Sequence, residues 1–121
     1  MKFTVRMLRR AENDFRLILA RIEQRSKPGA LAWTRAFEKA LNRLEASPEE
    51  LPSAAEDQYI DDRIQEILFR TRRGLVYRGL FTVRGQTVFL LHIRGPGQND
   101  LSPQELSLPP EEKSEGGTPG E

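Results

Sequence analysis

Between Ile64 and Arg94 the chain carries three runs of strand-forming residues, Ile64 to Thr71, Leu75 to Val83 and Thr87 to Arg94. The breaks between them, Arg72-Arg73-Gly74 and Arg84-Gly85-Gln86, are short, and each holds the glycine that a tight hairpin turn favours. Three such runs pair most simply as an antiparallel meander, whose apolar residues then need a second layer. The preceding residues supply it. Phe3, Val5 and Met7 alternate with Thr4 and Arg6, a period of two that predicts a short strand. Ala11, Phe15, Ile18, Leu19 and Ile22 then recur at helical spacing, as do Ala30, Trp33, Phe37, Leu41 and Leu44 up to about Ala46. Ser26 to Gly29 is the expected break, with Pro28 where a first helical turn tolerates it. Helices so briefly connected pack as an antiparallel hairpin. Ser47 to Asp62, with Pro48 and Pro52, reads as an acidic loop holding at most a short helical turn. The expected fold is a two-layer α+β domain of order β-α-α-β-β-β, an N-terminal strand and a C-terminal antiparallel meander packed on a helical hairpin.

The 121 residues give room for one domain. Its expected extent is 1–101. Residues 102–121, acidic and rich in proline and glycine, have little to bury and form an expected disordered tail. The absence of cysteine excludes a disulfide scaffold and a thiolate site, and a single histidine, His92, argues against zinc; no metal or cofactor is expected. No stretch approaches the roughly 18–20 apolar residues of a membrane span, and Met1 to Leu8 has no secretory cleavage pattern, so the expected location is cytoplasmic.

The net charge of +1 conceals alternating blocks. Residues 1–44 carry +7 and residues 45–62 carry −7. Residues 63–94 hold seven arginines against Glu66 alone, and residues 95–121 carry −5. The third block concentrates its field on one sheet, as a surface for an anionic or protein partner would. The acidic tail either solubilises the chain or folds back over that sheet.

Strand alternation sets the faces. Tight turns between the last two strands put Tyr77, Phe81 and Val83 with Val88, Leu90, His92 and Arg94, and Arg78, Leu80 and Thr82 with Phe89, Leu91 and Ile93. His92 is thus expected opposite Arg78, and the face that the helices leave uncovered is expected to be free for a partner. One pairing of the first hairpin sets Glu66, Leu68 and Arg70 beside Arg78. On the residues alone, Arg78 is either a recognition group or a surface arginine paired with Glu66. His92 is either a site residue or a polar residue closing a strand beside Tyr77. Arg72 and Arg73 suit a solvated turn.

The run LFRTRRGLVYRGLFTVRGQTVFLLHIRGPGQ, Leu68 to Gln98, preceded by a short strand and two amphipathic helices, resembles the RelE/ParE superfamily of bacterial toxins. The resemblance spans roughly residues 2–101. It rests on the Tyr77-Arg78-Gly79-Leu80-Phe81 frame, a hairpin, and a strand ending in His92 to Arg94. It implies the toxin of a type II toxin–antitoxin module, of the kind linked to plasmid stabilisation and growth arrest, held in a heteromeric complex by a cognate antitoxin. For mechanism it implies a metal-independent endoribonuclease cutting mRNA on the ribosome or, alternatively, a non-enzymatic inhibitor of DNA gyrase; a nontoxic binding module is a third reading. As a nuclease, Arg78 would contact the scissile phosphate, Glu66 would act as base and His92, with an ordinary pKa near ~6.5, as acid. Arg70, Arg72, Arg73 and Arg94 would add phosphate contacts.

Overall fold

The computed structural model describes residues 2–59, 63–71, 75–98, 101–102 and 104–109. The order is β1 (Thr4–Met7), α1 (Arg9–Arg25), α2 (Lys27–Ala46), β2 (Gln65–Arg70), β3 (Val76–Arg84) and β4 (Thr87–Arg94), as the periodicities predict. The break between the helices is narrower than expected. Ser26 alone separates them, because its side chain accepts the Gly29 N–H (2.9 Å) and Pro28 fits the first turn, so α2 can begin at once. The acidic loop forms two 3-10 turns, Pro48–Glu50 and Ala55–Tyr59.

The four strands form one mixed sheet in the order β1-β4-β3-β2. β2 and β3, and β3 and β4, are antiparallel, whereas β1 lies parallel to β4 with Val5 opposite Val88. The β3–β4 turn needs Gly85, whose φ of 60° disfavours a side chain. The helices cover one face. Trp33, Phe37, Ala40 and Leu44 of α2 pack with Ala11 of α1 against Ile67, Phe69, Tyr77, Phe81, Val88, Leu90 and Ile93. At the centre the ring of Trp33 lies 5.1–5.9 Å from those of Phe15, Phe37, Phe69 and Tyr77. Gly79 also faces this core. A Cβ there would meet Ile67 Cγ2 at 3.2 Å and Leu90 Cδ1 at 3.3 Å.

Simple alternation fails in β4. Leu80 pairs with His92 but Phe81 pairs with Leu90, leaving Leu91 as the extra residue of a β-bulge. The bulge reverses the expected faces beyond it. Ile93 joins the helix-covered core, and His92 and Arg94 turn to the face of Arg78 and Leu80. That second face is not bare, contrary to expectation. Ala54, Ile64, Leu80, Leu91 and Leu101 form a second buried cluster, flanked by Leu8, Phe89 and Leu106. Within the expected tail, Leu106 packs against this cluster and the Ser107 N–H reaches His92 of β4. Residues 110–121 are outside the described residues.

Candidate functional site

The second face gathers Glu66 and Arg70 from β2, Arg78 from β3, and His92 and Arg94 from β4. The register places Arg78 opposite both Leu68 and Arg94, and Glu66 opposite Leu80. The sheet thus brings Glu66, Arg78, His92 and Arg94 to one side, and the bulge removes the separation of His92 from Arg78 that unbroken alternation implies. Arg70 is exposed near the end of edge strand β2. Arg72 and Arg73 lie outside the described residues.

Arg78 is answered by two carboxylates. Its Nη1 and Nη2 donate to Glu56 Oε1 (3.2 Å) and Oε2 (3.0 Å) in a fork-to-fork pair, and Nη1 also donates to Glu66 Oε1 (3.1 Å). Glu56 comes from the second 3-10 turn and is completely buried. Its Oε2 also accepts the Leu101 N–H at 2.8 Å. Burial pushes the Glu56 carboxyl up, but the Arg78 and Leu101 hydrogen bonds prevail and hold it below the usual carboxylate range. The Glu56 hydrogen bond chiefly raises the Arg78 pKa, against burial and with help from Glu66. Both Nη atoms of Arg78 are thus engaged by carboxylates, so the guanidinium is not presented to an incoming phosphate as an open cation.

His92 is fully buried. Its Nε2 accepts the Ser107 N–H at 2.8 Å, so Nδ1 carries the proton of the neutral ring. Nδ1 has no hydrogen-bond partner among the described residues; Asp14 Oδ2, at 4.0 Å, is out of reach. That oxygen accepts the Ile93 N–H at 2.9 Å instead. β1 ends at Met7, opposite Leu90, so Asp14 satisfies an amide that a longer β1 would otherwise reach. Burial above all, then the Arg10 charge, pushes the imidazole down to about 4, with Asp14 opposing. At neutral pH this ring has no proton to spare for a leaving group.

Glu56, Asp14, Leu101 and Ser107 are the residues that sequence reasoning missed. For Glu56 a signal existed: a −7 block directly precedes an arginine-rich one. Among the described residues no three His, Asp or Glu side chains are placed to share a metal ion, and no helix is long and apolar enough to cross a membrane.

A helical hairpin on one face of a four-stranded mixed sheet, with a charged cluster on the other, defines a small two-layer α+β class. No protein-family model matches the chain, and no curated protein matches it. Among solved structures it is similar to a chain of the chromosomal ParDE toxin–antitoxin system from P. aeruginosa, with a TM-score of 0.59. The two share 15% identity over 78% of this chain and 96% of that one, a likeness of fold.

Proposed function

We propose that this chain is the toxin-type member of a toxin–antitoxin pair, restrained by an antitoxin, and that it acts by binding a protein target in the manner of a gyrase inhibitor. The likeness of fold to a ParDE-system chain supports the first part. One observation carries the second: Glu56 and Glu66 together occupy Arg78, the cation a nuclease would offer to the scissile phosphate. The neutral His92, with Nε2 engaged by Ser107, points the same way.

The ribosome-dependent nuclease reading has one observation in its favour, the bulge that sets Glu66, Arg78 and His92 on a single face. It requires Ser107 to release Nε2 and the Arg78 cluster to open.

Induced expression, with and without the product of the neighbouring reading frame, separates these readings. The expected result is growth arrest relieved by the neighbour, with double-strand DNA breaks and intact transcripts, unchanged in His92→Gln and Glu66→Gln. Cuts within translated messages, abolished by either substitution, would reinstate the nuclease. Harmless expression would remove the toxin reading altogether.

A further inference from the structure

A groove of about 260 Å³ lies on the helix-covered side of the sheet, the opposite face from the Arg78 cluster, between the C-terminal half of α1 and the start of β3. Ile18 and Ile22 of α1 form one wall, with Leu75 and Tyr77 facing them, and the Gly95–Gln98 turn closes one side. Gln98 fixes that turn, since its Oε1 accepts the Gly95 N–H and its own N–H reaches Gly95 O. Arg21 and Arg25 also line the groove, four residues apart and so one above the other on the helix. Both are exposed, and among the described residues neither has an ion-pair or hydrogen-bond partner.

Tyr77 makes this more than an apolar dent with charged edges. The residue is 94% buried, its exposure being 6%, yet its hydroxyl has no hydrogen-bond partner among the described residues, and the side chain lines the groove. The ring is buried while the hydroxyl itself opens onto the groove, where an incoming group can reach it. Its surroundings are cationic, for the charges of Arg25 and Arg21 both act on it. An unused donor, two unused guanidiniums and aliphatic walls together match a carboxylate carried next to an aliphatic side chain.

We infer that this groove is a docking site for an acidic peptide segment of a partner protein. A Glu or Asp side chain of that segment sits between the Tyr77 hydroxyl and the Arg21 and Arg25 guanidiniums, and an adjacent Leu, Ile or Val packs on Ile18, Ile22 and Leu75. Charge complementarity selects the acid and the aliphatic walls select its neighbour. Single-stranded RNA fits less well: it binds by stacking bases on exposed aromatic faces, and the Tyr77 ring offers almost none. The site stands whether or not the chain is toxic when expressed.

The test is to pan random octapeptides displayed on phage against the full-length protein. The expected clones carry Asp or Glu beside Leu, Ile or Val. A fluorescent peptide from the leading clone is expected to weaken by about tenfold or more on changing its acid to the amide, and equally on Arg21→Ala combined with Arg25→Ala. Tyr77→Phe, which keeps the core ring, is expected to weaken it by about threefold with an unchanged unfolding midpoint. Clones without acidic enrichment, or binding the double variant as well as the parent, would overturn the assignment. So would a 12-nucleotide oligouridylate that binds more tightly than the peptide and is lost in the same double variant.

Discussion

Acidification is expected to weaken the fold through His92, the chain's one histidine. The imidazole is fully buried, its Nε2 is taken by the Ser107 N–H, and its pKa is pushed to about 4. In the unfolded chain the same ring takes up a proton near ~6.5. Stability is therefore unaffected by this group above about pH 6.5, falls as pH drops from there to about 4, and levels off below. That interval, at about 1.4 kcal/mol per pH unit, amounts to about 3 kcal/mol in full, of which about 2.5 kcal/mol is lost by pH 4.5. Glutamine at position 92 does not titrate and keeps an oxygen for Ser107. Urea unfolding followed by the fluorescence of buried Trp33 should thus show the parent losing about 2.5 kcal/mol more than His92→Gln between pH 7.5 and pH 4.5. Other carboxylates titrate in both proteins and drop out of the difference. The Cε1 resonance of the single imidazole gives the folded value directly. A titration near pH 6.5, or parallel loss of stability in the two proteins, would refute the reasoning.

Two further outcomes test the second face of the sheet. Glu56→Gln removes the buried half of the fork with Arg78 and should cost about 2–4 kcal/mol, read as a lower urea midpoint; an unchanged midpoint would show that the pair is not formed in solution. Leu101→Ala should cost about 2–3 kcal/mol because the side chain is 2% exposed in the second cluster, whereas a chain end free of the sheet would give no change.

The fold was legible because its determinants are local. The helical spacing of Phe15, Ile18 and Ile22, and of Trp33, Phe37 and Leu44, marks faces that the structure buries against the sheet, and Gly85 marks the turn whose φ of 60° demands it. The site was less legible because its determinants are not local. One extra residue at Leu91 changes the parity of everything beyond it, and nothing in Phe89-Leu90-Leu91-His92 announces a bulge. Glu56 lies 22 residues from Arg78, and Ser107 lies 15 residues from His92; only the finished sheet brings them together. The Arg78–Glu66 contact was within reach, since those residues fall on adjacent strands of one hairpin. Leu106 was discounted because a proline- and glycine-rich composition masks a well-placed anchor.

The parallel pairing of β1 with β4 has a consequence for how the molecule is made. Thr4 finds its ladder partner at Thr87, so β1 leaves a ribosome long before the strand it pairs with. Until then the helical hairpin can form, but β1 has no strand partner to pair with. Closure of so long a loop raises contact order and slows the committed step. A nascent chain stalled before β4 emerges would carry an unpaired strand and an open apolar helix face, the state most in need of a chaperone.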